Sequence, residues 1–359
     1  MVLPAQSFGM TDAAIPATLD SEKERDRHSY LEHRIFAYSP FGTLATSLLI
    51  FVGFAVAFVA AMSIDGRAIY AVVRGEFSLS DESRGALTLS LLIAVSLGLQ
   101  RFARLKDLED CLRYASSLKH NTESAMAHRR LAPANGLSVA TGLGFLFAIV
   151  AMFTFIPHPP FKTLSFAWFL VTTVAVSVLF ARGVVQTRAG AKALRQFIDA
   201  ELVIDLLRPD RLTIVGRSAA RAALIWFGVS AVLCLFFTSD GITLFTVLLV
   251  LMSVLLGMAI FVTTMGYMHK RIRDAKAVEL EHVRTRMERL RHEAHESGDA
   301  AQRLSGLIAY EGRIAAAPEW PFDQTIAMRL GASALILTVP WFGQAVAGTL
   351  VERLGQLLH

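Results

Sequence analysis

The sequence predicts an all-α, polytopic integral membrane bundle of about seven spans, built as three hairpins plus one, with helical extensions into the cytoplasm. Three observations carry this. The 359 residues are 54% hydrophobic and only 18% charged, against about 25% charged in an ordinary soluble domain. The apolar residues lie in long charge-free blocks instead of the period of 2 or 3.6 that one-sided burial demands. The basic residues are gathered into alternate segments between those blocks. Together they rule out a soluble globular protein, and 24 Gly, 11 Pro and 2 Cys match neither collagen nor a disulfide scaffold.

The blocks are Phe41–Met62, Gly85–Gln100, Gly136–Pro157, Thr163–Ala181, Ala222–Thr238, Ile242–Met268 and Leu330–Leu350. At about 1.5 Å per residue most cross the roughly 30 Å hydrocarbon layer. The second reaches only about 24 Å, so Arg84 and Arg101 at its ends are expected to snorkel to the two interfaces. In the seventh, Pro340 marks either a kink or the tip of a re-entrant pair, which leaves a six-span alternative open.

Positive residues are retained on the cytoplasmic side. Segments 1–40, 101–135, 182–221 and 269–329 hold 30 of the 35 Lys and Arg. The expected topology is therefore a bacterial inner-membrane protein with its N-terminus in the cytoplasm and its C-terminus outside. Residues 1–40 lack the apolar core of a cleavable signal, so the first span is expected to direct insertion. The chain divides into a cytoplasmic N-terminal segment (1–40), a six-span region (41–268) with arms at 101–135 and 182–221, a cytoplasmic helical hairpin (269–325), and a final span with a short external tail (326–359). Cys111 falls in a cytoplasmic segment and Cys234 inside the fifth span, so no disulfide is expected between them.

In each hairpin the second helix is predicted to run on into the cytoplasm, from Arg101, Ala181 and His269, because no Pro interrupts these arms. The third arm carries Leu280, Val283, Met287, Leu290 and Ala294 at spacings of three and four, an apolar seam that must be covered. A returning helix over Asp299–Ala317, with Leu304, Leu307, Ile308 and Ile314 on one face, would cover it from within the chain; an inter-subunit coiled coil is the competing arrangement. A further helix over Asp20–Tyr38 offers Tyr30, Leu31, Ile35 and Phe36 to the membrane surface or to the arms.

The spans hold no ionisable group at depth, which disfavours ion-coupled transport. Hydroxyls and one amide are the candidate lining of a polar conduit: Thr172, Thr173, Ser177, Ser253, Thr263, Thr264, Thr338 and Gln344. The alternative is that each bonds a carbonyl one turn back. Gly136, Ala140, Gly144 and Ala148 recur every four residues and form a face for close helix approach. Glu288, His292 and His295 share a helix face, but such triplets arise on any charged face, so neither metal nor cofactor is expected. Nucleophile elbow, HExxH and phosphate-loop signatures are absent. Tyr310, Glu311 and Arg313 are polar site candidates or surface ion pairs. Trp320 suits the headgroup layer as an interface anchor.

The stretch YEGRIAAAPEWPFDQT from Tyr310 to Thr325, with the charged run before it and the span after it, resembles the C-terminal part of uncharacterised multi-pass membrane proteins of prokaryotes. The resemblance covers under a third of the chain and implies no activity. The expected function is non-catalytic: a membrane platform or sensor acting through its cytoplasmic helices, in contact with anionic lipid heads and with a protein partner or a second copy. Nucleic acid is not an expected partner, since no basic stripe is interleaved with aromatics. The alternatives are an oligomeric ion channel or passive transporter, and then a membrane-embedded enzyme.

Overall fold

Helix dominates because an apolar segment in hydrocarbon must satisfy its backbone within itself. The computed structural model describes residues 31–320, apart from 68, 74–75, 114–133, 156–162, 201, 203, 209–211, 237–243 and 294–297. Eight α-helices are seen among them: α1 Leu31–Tyr38, α2 Thr43–Ile64, α3 Asp81–Arg113, α4 Ala134–Phe155, α5 Leu164–Ala200, α6 Thr213–Leu233, α7 Leu244–Glu293 and α8 Gly298–Ala316. A short 3-10 turn, Cys234–Phe236, closes α6. The expected seventh span, Leu330–Leu350, lies outside the described residues.

Five of these helices are long and apolar enough to cross a membrane, namely α2, α3, α5, α6 and α7, and α4 carries a shorter apolar run, Gly136–Met152. α7 is 50 residues long, about 75 Å of unbroken helix. α3 and α5 likewise continue well past their apolar blocks, to Arg113 and Ala200. The second block is the apolar middle of a 33-residue helix.

Local chemistry sets the helix ends. Gly66, at φ +66°, takes the left-handed position that ends α2, a conformation in which a Cβ would be strained. α3 starts on Ser80, whose hydroxyl accepts the Ser83 amide at 3.2 Å, with Asp81 and Glu82 in the first turn where the helix dipole favours negative charge. Between α2 and α3 stands one element the sequence reading did not predict, an antiparallel pair β1 (Tyr70–Val73) and β2 (Glu76–Leu79), with Tyr70 opposite Leu79 and Val73 opposite Glu76.

Successive helices pack on one another: α2 on α3, α4 on α5, α6 on α7, and α8 back along α7. α3 also meets α5 and α6. It is an interior helix, with 56% of its apolar stretch buried, and α6 follows at 50%, against 17% for α2. The outer helices show large hydrocarbon side chains to the surroundings, among them Leu44, Leu48 and Val56 of α2 and Leu143, Leu146 and Ile149 of α4. α4 and α5 meet closely at the predicted small-residue face: Ala140 and Ala148 are buried, and a Cβ on Gly144 would stand 2.6 Å from Val178 Cα.

The largest buried cluster sits where apolar sequence gives way to polar. Leu194, Phe197 and Ile198 of α5, Leu202 and Leu212 of the connection, Ile214, Val215 and Ala219 of α6, and Met265, Met268 and Ile272 of α7 form it. α1 is held by Phe36, buried against Ile93 and Leu97 of α3.

Candidate functional site in the polar layer

Beyond that cluster, the charged halves of α3, α5 and α7, the start of α6, and α8 make a polar layer. Two arrangements within it stand out. The first fastens α3 to α6. Asp107 and Asp110 are three residues apart and so share a face of α3. Arg221 spans both: its Nε and Nη2 donate to Asp107 Oδ1 at 2.8 and 2.5 Å, and Nη2 also donates to Asp110 Oδ2 at 2.7 Å. Ser218 Oγ donates to Asp107 Oδ2 at 3.1 Å, and Arg217 Nη1 lies 3.5 Å from Asp110 Oδ1. Two carboxylates meet two guanidinium groups, so the low-exposure pair Asp110 and Arg221 is compensated, as a buried charge must be.

The second is a cavity of about 580 Å³. Ile204, Asp205, Leu206 and Leu207 of the α5–α6 connection form one wall, Arg271, Asp274, Ala275, Val278 and Glu279 of α7 another, and Tyr310 of α8 a third. Asp205 Oδ1 accepts the Leu207 amide at 3.0 Å, which turns the connection sharply. Tyr310 donates its hydroxyl to Glu279 Oε1 at 3.1 Å. Burial, reinforced by the Glu279 acceptor and by the Glu279 and Asp205 charges, pushes the Tyr310 phenol above its ordinary value. Behind the cavity, Arg271 Nε is 3.2 Å from Asp199 Oδ1, and Asp199 Oδ2 accepts the Tyr267 hydroxyl at 2.6 Å.

α8 builds the third wall by folding back along α7. Val283 and Ile314 are buried in the seam, with Leu280, Met287, Leu290, Leu304 and Leu307 half-buried. Ile308 was expected on this face but is exposed. Arg284 Nε donates to Glu311 at 2.8 Å, a contact that raises the guanidinium above its ordinary value. Lys276 Nζ caps the end of α8 at the carbonyls of Ala315 and Ala317, 2.7 and 3.1 Å away.

Three of the candidate conduit residues bond carbonyls of their own helix. Thr172 bonds the carbonyls of Trp168 and Phe169. Thr263 bonds that of Ala259, at 2.7 Å, and faces outward. Ser253 is fully buried, donates to the Val250 carbonyl at 2.9 Å, and sits 2.6 Å from Ser230 of α6. Ser177 and Thr264 are buried and Thr173 is half-buried. Among the described residues no hydrogen bond links the α5 set to the α7 set; Thr338 and Gln344 lie outside them. Arg101 is 3% exposed and turned into the bundle. Arg84 stays at the surface, paired with Asp81. Trp320, 47% exposed, stacks on His269 with ring centroids 4.3 Å apart. Among the described residues no three His, Cys, Asp or Glu side chains are gathered to hold a metal ion; Glu288 is exposed, and His295 lies outside the described residues.

Three features had no clear sequence signal. Asp107, Asp110 and Arg221 meet across more than a hundred residues, with nothing local to pair them. Asp65 caps α5 from the end of α2, accepting the amides of Leu164 and Ser165 at 2.9 and 2.7 Å. The cavity needs three separate segments. Only Tyr310 of its wall was singled out beforehand.

The fold defines a class: an all-helical chain with several helices of membrane-crossing length and composition, which marks a membrane protein. Compared with protein-family models, curated proteins and solved structures, the chain matches none.

Proposed function

We propose that the chain is a multi-pass protein of the bacterial inner membrane, with seven spans in three hairpins plus one, N-terminus cytoplasmic and C-terminus outside. It acts without covalent chemistry, as a platform or sensor whose cytoplasmic helices engage a protein partner, a second copy or anionic lipid heads. The observation that carries this reading is continuity. α3, α5 and α7 pass unbroken from apolar into charged sequence, and their charged halves are fastened by the buried cluster around Phe197 and by the Asp107–Asp110–Arg221 contact. A change in bilayer thickness tilts or shifts a span, and α7 carries that displacement about 37 Å beyond His269 as a rigid lever. The local satisfaction of Thr172, Ser253 and Thr263 favours this reading over the channel, in which those hydroxyls would line water.

The test uses the full-length protein in liposomes. Spin labels at the exposed positions Lys192 and Arg289 should change separation when lipid thickness or anionic lipid content changes, while K⁺, Na⁺ and Cl⁻ flux stays at the level of empty liposomes. Flux above that level would replace the platform with the channel, and invariant distances would remove the sensor. Cysteine accessibility at residues 20 and 355, from inside and from outside, checks the topology.

A further inference from the structure

Of the three arms, α5 is the one without mixed charge. From Arg182 to Ile198 it holds three Arg, one Lys and no acid, whereas α3 beyond Arg101 and α7 beyond His269 interleave both signs within two turns. Gly183, Leu194, Phe197 and Ile198 lie on the buried side of this stretch; Arg188, Lys192 and Arg195, spaced four and three apart, are exposed on the other. Among the described residues none of these three cations forms an ion pair. Arg195 is instead aimed over the Tyr267 ring of α7, its Cζ 5.6 Å from the centroid. That contact orients the guanidinium and leaves its N–H fork for an anion.

Contacts with α6 and α7 fix how deep this face lies. A Cβ on Gly183 would touch the Trp226 ring at 3.6 Å, and one on Gly257 would stand 3.1 Å from Trp226 Cβ, so α5 at Gly183 is level with α7 at Gly257. Arg195 and Tyr267 make the next tie. Between the two, about 15 Å of helix, α7 has no charged residue and shows Met258 and Val262 to its surroundings. The α5 cations therefore begin beside hydrocarbon, short of the level at which α7 turns polar. α4 adds apolar surface at the same height: Arg182 Nη1 donates to Thr141 Oγ1 at 3.2 Å, and Val139, Leu143 and Leu146 are exposed.

Exposed cations at such a depth snorkel toward phosphate or draw it to them. We propose that this outward face of α5 binds an anionic phospholipid, its phosphate among Arg188, Lys192 and Arg195 and its acyl chains against Val139 and Leu143. An acidic protein segment would meet the same cations, but it would have to lay polar backbone beside exposed hydrocarbon. The inference deepens the platform reading by assigning its lipid contact to one helix face, and it rests on that reading only for the bilayer at this level. Failure here leaves the distance and flux tests of the platform untouched, and their failure leaves this lipid preference in place.

Spin-labelled phosphatidylglycerol and spin-labelled phosphatidylcholine, each added to the full-length protein in phosphatidylcholine vesicles, provide the test. Electron paramagnetic resonance reads the fraction of probe immobilised at the protein surface, and probe in both leaflets makes the result independent of orientation. Phosphatidylglycerol should be preferred by about fivefold, the gain from one surface cation, and raised salt should reduce the preference. Arg188→Gln, Lys192→Gln and Arg195→Gln together should abolish it, while Arg188→Lys should keep it. Arg289→Gln, at an exposed site about 30 Å of helix past Met268, should leave it unchanged. Inorganic phosphate should lower it no more than chloride of equal ionic strength. Three results would overturn the proposal. Wild type without a preference would leave the face to an acidic protein segment, a preference surviving in the triple variant would belong to the chain's overall charge, and specific displacement by inorganic phosphate would assign the face to free anions. Circular dichroism separates lost binding from lost fold: the three side chains are exposed, so their replacement leaves helix content intact.

Discussion

The two halves of α7 show different kinds of atom to their surroundings. From Thr246 to Met268 the helix shows Leu248, Leu251, Met252, Leu255, Met258 and Val262 to its surroundings and tucks the hydroxyls of Thr246, Ser253 and Thr264 inside. From His269 onward Ile272 and Val283 are inside, and Arg273, Asp274, Glu281 and Arg284 are outside. The difference is one of solvent. In lipid, hydrocarbon gains little by leaving the surroundings, so helices associate through close packing and hydrogen bonds such as Ser230 to Ser253. In water the apolar seam is what drives α8 onto α7.

The junction between the two regimes should be the most sensitive point. Arg221→Met leaves Asp107 and Asp110 facing each other without their shared cation, a loss of about 3–5 kcal/mol. Thermal unfolding in detergent measures it. Making both acids Asn in the Arg221→Met background should recover most of that loss, because the penalty lies in the uncompensated charge. Failure to recover would mean that the guanidinium acts through packing instead.

A matched pair of truncations tests the comparison directly. Ile272→Ala empties a fully buried site in the polar half and should cost about 2–5 kcal/mol. Leu255→Ala removes a lipid-facing side chain and should cost under about 1 kcal/mol. Equal costs would show that Leu255 is covered, as it would be in an oligomer. Between these falls Gly144→Val. Its side chain meets α5 backbone at Val178 and Ser177, which cannot rotate away, and overpacking of this kind costs about 1–3 kcal/mol.

Sequence patterns carried the features that depend on neighbours along the chain. The unbroken arms were legible because no Pro falls in them, and the α4 face because small residues recur at the period that puts them on one side. The burial of Arg101 was not legible: a charge at the end of an apolar block has the same sequence context whether it faces outward or turns inward. Only the packing of other helices against α3, which the local sequence does not show, decides between them. Likewise Ile308 falls on the apolar stripe of α8 by spacing, yet the stripe is wider than the part that α7 covers. The β1–β2 pair was hidden in a short connection whose strands are only four residues each, too few to show a period. The cavity combines a connection and two helices, so only its Tyr310, in an unusual local stretch, drew notice.

The smallest expected effect belongs to the opposite end of the bundle, where one carboxylate replaces the network. The Ser165 hydroxyl beside Asp65, with the amides of Ser165 and Leu164, holds its carboxyl below the ordinary value of 3.8. A group whose folded value is depressed contributes stability that is fully present above its unfolded value and is lost as pH falls through the folded one. The wild type should therefore lose thermal stability below about pH 4 more steeply than Asp65→Asn, whose amide oxygen can still accept one amide but does not titrate. Asp65 is only half-buried, so the difference should be modest and shrink with salt. Identical acid limbs for the two proteins would mean that α5 is held at this end by the Phe58–Trp168–Phe169 aromatic cluster and that the cap is dispensable. α5 would then be held at this end by packing, with the Arg67–Glu82 ion pair, 2.9 Å long, left to the α2–α3 side.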